Sequence, residues 1–213
     1  MEAFHFCTKL DQTILLGKKA TTIRELLEGI RSVPKASIYH HTHRFLQAFH
    51  YLTPEPSNDF AYWITDIMND AVLGEQLAST DIIQFQDIAS LRERLTETVE
   101  SHIAGNGSIS RCPPGQEFHF MASRLFVLKT PYVAHNLAEL KENLVLVSTN
   151  SLYYHMFDAK LRLENGENDF SRWFRSFSKF ELANEVDRLD PYSYTLEGLR
   201  KRLIILVNKY DKD

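Results

Sequence analysis

Ser37-Ile38-Tyr39-His40-His41 and Ser151-Leu152-Tyr153-Tyr154-His155 stand 114 residues apart and share the pattern Ser-x-Tyr-x-His. Outward from them the match continues on both sides. Phe4-His5-Phe6 returns as Phe118-His119-Phe120 at the same spacing. Asn58-Asp59-Phe60 with Trp63 returns as Asn168-Asp169-Phe170 with Trp173 after 110 residues. Leu91-Arg92-x-Arg94-Leu95 returns as Leu199-Arg200-x-Arg202-Leu203 after 108. The spacing shrinks only where a loop would be trimmed. A period this long reads as a duplicated domain and not as a solenoid unit. The sequence therefore predicts repeat one over 1–103, a linker over 104–117 and repeat two over 118–213. The linker runs from Gly105-Asn106-Gly107-Ser108 to Pro113-Pro114-Gly115, where Gly, Ser and Pro favour turns. Two units of this size bury more surface together than apart, so they are expected to pack as one compact pseudo-symmetric body.

Each repeat opens on alternating aromatic and polar residues, the signature of a short half-buried strand. A helix follows. In Thr22-Ile23-Arg24-Glu25 the threonine caps the first turn and the glutamate reaches back, and Asn136-Leu137-Ala138-Glu139 repeats the logic. Ile23, Leu26, Leu27, Ile30 and Val33 keep helical spacing, and Leu137, Leu140, Leu144 and Val147 match four of them. Pro34 suits the first turn of the helix that carries Ser-x-Tyr-x-His. The next loop is Leu52-Thr53-Pro54-Glu55-Pro56-Ser57 in repeat one and the shorter Glu164-Asn165-Gly166-Glu167 in repeat two. Asn58 and Asn168 are caps for a further helix, with Asp59 and Asp169 favouring its dipole. Asp87 and Thr195 can cap the last one. The expected class is mainly α with short β strands, internally duplicated, in a pseudo-twofold helical architecture of four or five helices per repeat.

The formal charge is −4, which disfavours nucleic-acid binding. No apolar run reaches the length of a membrane span, and the start lacks a secretory pattern. Cys7 and Cys112 are too few for a disulfide framework or a cysteine-based zinc site. A cytoplasmic protein without a cofactor is expected.

Nine histidines focus attention on possible chemistry. His41 and His155 each lie four residues after a serine, on one helix face. Each is a candidate acid, base or ligand, set against a structural histidine bonded to a neighbour, because no carboxylate accompanies it at a recognisable spacing. Tyr39 and Tyr153 carry the same two readings. Only repeat one has the cluster Tyr39-His40-His41-Thr42-His43, with His50 farther on; Tyr154 and Phe157 replace His40 and His43 in repeat two. His40 and His43 can share a metal, but a credible site needs three or four ligands and the zincin spacing is absent. His5 and His119 would approach the axis if the opening strands pair. Asp59 with Trp63, and Asp169 with Trp173, read as architecture. Arg92 and Arg200 read as a solvated face or ion pairs, with anion binding as the alternative. No serine elbow, P-loop, dinucleotide fingerprint or kinase motif occurs.

Ser-[Ile/Leu]-Tyr-x-His, Asn-Asp-Phe-x-x-Trp and Leu-Arg-x-Arg-Leu, each present twice, resemble bacterial proteins grouped as domain-of-unknown-function family 5752. The resemblance covers nearly the whole chain. It implies a sugar-metabolism neighbourhood, since some relatives are associated with glycosyltransferase or trehalose-synthase-like enzymes, and it implies no particular reaction. The expected function is a non-catalytic interaction or ligand-binding module whose partner is a protein or a small ligand, with a homo-oligomer open. The alternative is a hydrolase or transferase using the histidine–tyrosine cluster of repeat one, with or without a metal.

Overall fold

The computed structural model describes residues 2–45, 58–106, 110–163, 167–189 and 194–211. His50, the loop Leu52–Ser57, the residues Glu164-Asn165-Gly166 and the linker residues Gly107 and Ser108 lie outside them. The described residues are mainly α-helical with one small two-stranded sheet. The strands are β1 (Phe4–Ala20) and β2 (Phe118–Ala134). Both extend far beyond the three-residue openings read from the sequence. Past those openings the residues are mostly exposed or half-buried and carry no apolar alternation, so periodicity alone does not mark them. The Thr130 hydroxyl donates to the Phe6 carbonyl and the Ser123 hydroxyl to Asp11, an order that reverses along the chain, so the strands run antiparallel.

Two compact units form. The first is Asp11–Arg124; the second joins Met1–Leu10 to Leu125–Asp213. Each unit therefore holds the late part of one strand and the early part of the other. Phe118 and Phe120 pack against the helices of repeat one, and Phe4 and Phe6 against those of repeat two. The linear repeats give no sign of this exchange.

In the first unit, α1 (Ile23–Ser32) starts as its cap predicts: the Glu25 N–H donates to the Thr22 hydroxyl. The Glu25 carboxylate accepts from the Thr21 N–H and hydroxyl, which hold its carboxyl below the usual carboxylate range. Helix α2 (Lys35–Tyr39) has Pro34 as its cap residue and runs into a π-helical turn, His40–Arg44. Helix α3 (Asp59–Tyr62) is capped by Asn58 and also continues as a π-helical turn, Trp63–Ile67. Then come α4 (Ala71–Ala78) and α5 (Ile88–Asn106).

In the second unit, α6 (Leu137–Leu146) is capped by Asn136, whose side chain accepts the Glu139 N–H. Helix α7 (Thr149–Tyr153) passes through a π-helical turn, Tyr154–Asp158, into Ala159–Leu163. Helices α8 (Asp169–Ser176), α9 (Phe180–Asp187) and α10 (Leu196–Tyr210) complete it.

Each core is an aromatic cluster around one histidine. Phe60, Phe118 and Phe120 surround His41, while Phe4, Phe6 and Phe170 surround His155. Trp63 and Trp173 are 4% and 7% exposed. Each indole N–H donates to a carbonyl just before a strand, that of Gln116 for Trp63 and that of Glu2 for Trp173. Asn69 and Ser178 both take a left-handed backbone immediately before α4 and α9, so the chain turns alike at both places.

Candidate functional site

The Ser-x-Tyr-x-His helix places each histidine against a carboxylate that its own repeat supplies from a later helix. His41 Nδ1 lies 2.6 Å from Asp59 Oδ2, and the Met121 N–H donates to Nε2 at 3.0 Å. His155 Nδ1 lies 2.7 Å from Asp169 Oδ2, and the Cys7 N–H donates to Nε2 at 2.8 Å. Facing a backbone N–H, Nε2 can only accept, so the network assigns the proton to Nδ1, which donates to the carboxylate. Each histidine thus has a carboxylate partner, although none stands at a recognisable spacing in the sequence. The partners lie 18 and 14 residues downstream across a loop of variable length, so no fixed spacing announces them. Both ring nitrogens are occupied, and each histidine ties a helix to a strand.

His40 and His43 point to different neighbours. His40 is buried with Nδ1 3.0 Å from the Ser123 hydroxyl, which donates to Asp11 Oδ2 at 3.0 Å. Burial, with His41 and Arg44 beside it adding to the effect, pushes its pKa down to about 4. His43 stacks on Tyr39, ring centroids 5.5 Å apart, with Nδ1 near the Thr42 hydroxyl. Among the described residues no group of three or more His, Cys, Asp or Glu is placed to hold a metal ion.

The second unit fills the same place differently. Counting 114 residues on from Arg44, or back from Ser123, gives Asp158 and Lys9. These two form a buried ion pair, and the Lys9 ammonium lies 4.6 Å from the centre of the Tyr153 ring. In the first unit Arg44 pairs instead with Asp11, at 3.4 Å. The strand carries the cation and the helix the carboxylate in the second unit, and the reverse holds in the first.

Arg92 donates to the carbonyls of Arg31 and Val33 at the end of α1. Arg200 donates to those of Leu144 and Val147 at the end of α6, and to Glu197. Both arginines satisfy orphan carbonyls at helix ends. His5 and His119 are exposed on their strands.

A concave feature of the first unit lies elsewhere. A cavity of about 760 Å³ opens between α4, α5 and the turn joining them. Gln76 lines it from α4; Thr80, Asp81, Gln84 and Phe85 line it from the turn. From α5 come Arg94, Glu97, Thr98 and Ser101, whose spacing puts them on one helix face. Asp70 fixes this wall: one carboxylate oxygen accepts the Leu73 N–H that starts α4, and the other lies 2.7 Å from His102 Nε2 on α5. The Arg94 guanidinium and the Glu97 carboxylate make no ion pair among the described residues, so both face the cavity unneutralised. Sequence reading touched this site only through the second arginine of Leu-Arg-x-Arg-Leu. The missed signal was the polar stripe on α5; 108 residues on, Arg94 is matched by Arg202, while Glu97, Thr98 and Ser101 are matched by Ile205, Leu206 and Lys209.

Comparison with known proteins sets these features in a family. Residues 1–208 match the family described as "Family of unknown function (DUF5752)", and the chain belongs to it. No curated protein matches. A solved structure described as "The structure of OrfY from Thermoproteus tenax" is similar in fold, with a TM-score of 0.85 and 27% sequence identity, over 100% of this chain and 97% of that one.

Proposed function

We propose that the protein is a non-catalytic binding module whose first unit takes a small hydroxyl-rich ligand in the cavity between α4 and α5. The observation that carries this reading is the lining of that cavity. One guanidinium and two carboxylates leave it slightly acidic, which disfavours a phosphate or polyanion. Amide and hydroxyl side chains that both donate and accept make up most of the rest, with Phe85 as an apolar surface. A neutral molecule with many hydroxyls and a C–H face fits that set. The family resemblance supports the same direction, towards the company of carbohydrate-metabolising enzymes in a bacterial-type cytoplasm. Among the described residues no helix is long and apolar enough to cross a membrane.

We also infer that the chain arose by internal duplication. The support is the pairing of His41 with Asp59 and His155 with Asp169, and the pairing of each tryptophan indole with a carbonyl 53 or 171 residues away. On this reading one copy kept or gained a binding face that the other lacks.

The rival, a hydrolase or transferase using His40, His41, His43 and Tyr39, requires a free ring nitrogen facing substrate. The two readings part in a melting experiment with a panel of neutral mono- and disaccharides. A ligand at about 100 times its Kd adds about 2.7 kcal/mol of stability. The module reading expects a rise in melting temperature that Arg94→Ala with Glu97→Ala abolishes and no consumption of the sugar. Turnover of any panel member, lost in His40→Asn, would establish the rival.

A further inference from the structure

The two halves of the sequence are an internal control on which exposed residues the fold itself demands. On β2, Leu125, Phe126, Val127 and Leu128 are 40%, 46%, 50% and 45% exposed. Successive strand residues point to opposite faces, so four exposed in a row leave both faces of this stretch uncovered. The matching residues of β1, 114 positions earlier, are Asp11, Gln12, Thr13 and Ile14, and Gln12 and Thr13 are exposed there. Three of these four matching residues are polar, so the fold does not require an unbroken apolar run at this strand position. Among the described residues the sheet has two strands, so β2 also has one hydrogen-bonding edge without a strand neighbour among them. An exposed apolar edge strand is a template for strand addition.

We propose that the edge of β2 at Leu125–Leu128 docks an extended segment of a partner protein, four apolar residues flanked by acidic ones. Charge selects this occupant over a second copy of the chain. Arg124 and Lys129 flank the run. If two copies paired antiparallel about its centre, Leu125 would meet Leu128 and Phe126 would meet Val127, but Arg124 would face Lys129 at both ends. Like charges directly opposite one another destabilise a strand pair, whereas acidic residues at those two places stabilise it. The proposal is independent of the α4–α5 cavity.

The test uses the full chain and fluorescence anisotropy of labelled octapeptides in which glutamates, or lysines, flank Val-Phe-Leu-Val. The glutamate-flanked peptide is expected to bind, and the lysine-flanked one at least about tenfold more weakly, a difference of about 1.4 kcal/mol. The variant Leu125→Asp/Phe126→Gln/Val127→Thr installs the residues of the matching strand, so it is expected to keep the wild-type melting curve and lose the binding. Should that variant unfold, the glutamate-flanked peptide methylated on alternate backbone nitrogens, which cannot form the ladder, should fail to bind wild-type protein. Equal binding of the two peptides, no binding of either, or full binding of the methylated peptide would overturn the proposal. So would light scattering that shows a dimer turned to monomer by the triple variant, which would give the edge to a second copy.

Discussion

Asp59 accepts from His41 at 2.6 Å while a strand amide, that of Met121, donates to the far side of the same ring. His41 is fully buried and Asp59 is partly exposed, so the carboxylate reaches in to serve the ring. Truncating Asp59→Ala leaves a buried ring N–H without an acceptor, which costs about 1–3 kcal/mol. Asp169→Ala should cost a similar amount through His155. Urea unfolding of the two variants checks this, and a loss well under 1 kcal/mol in both would show that the carboxylates are not structural partners.

His40 gives the molecule a pH-dependent term. Its pKa falls from 6.5 to about 4 on folding, so between those values the unfolded chain binds more protons than the folded one. Stability then rises with pH, being complete above about 6.5 and lost progressively as pH falls towards 4. The size is of order 1–3 kcal/mol, each pKa unit being worth about 1.4 kcal/mol. His40→Asn keeps a donor for the Ser123 hydroxyl without a titrating ring. Unfolding free energies measured from pH 4.5 to 7 should show a shallower slope for the variant; identical slopes would remove His40 from the account.

Lys9 and Asp158 are 2% and 8% exposed at their side chains, so neither tolerates loss of the other. Asp158→Ala should cost about 3–5 kcal/mol because it removes the carboxylate partner of a buried ammonium. Lys9→Met with Asp158→Leu should cost far less, as an apolar pair of similar volume avoids the desolvation. A double variant no more stable than the single one would show that the pair itself holds the unit together.

Gly29 sits on α1 under the Phe120 ring. A Cβ there would fall 2.0 Å from the ring's Cζ, and Phe120 is almost fully buried. Gly29→Ala should therefore destabilise by about 1–3 kcal/mol through overpacking, although alanine is the better helix former. The larger Asn143 occupies the matching place on α6 and donates to the Val133 carbonyl. A melting temperature at or above wild type would contradict this packing.

Much of the helical scaffold was legible because its signals are local. Thr22, Asn136, Asn58 and Asn168 each cap the helix they precede, and the apolar residues of α1 and α6 keep one face. What was not legible depends on contacts distant in sequence. Asp59 and Asp169 read as first-turn acids, and only the folded chain turns them towards His41 and His155. Arg92 and Arg200 read as a solvated face or ion pairs; Arg200 does pair with Glu197, and both arginines also reach carbonyls 59 and 53 residues away, at Val33 and Val147. The long strands escaped notice because their middle stretches are not buried on either face. The cavity escaped notice because Arg94, Glu97, Thr98 and Ser101 look individually like any solvated helix face. Only the turn 79–87 makes them the wall of a concavity.

The most direct test of the binding-module account is amide hydrogen exchange of the full chain with and without the saccharide that raises the melting temperature most. Bound ligand should slow exchange in peptides covering 76–101 and leave those covering 37–44 and 151–158 unchanged, because the cavity binds and the histidines only hold the fold. Protection centred on 37–44, with 76–101 unaffected, would contradict the account and return the histidine cluster to the active role.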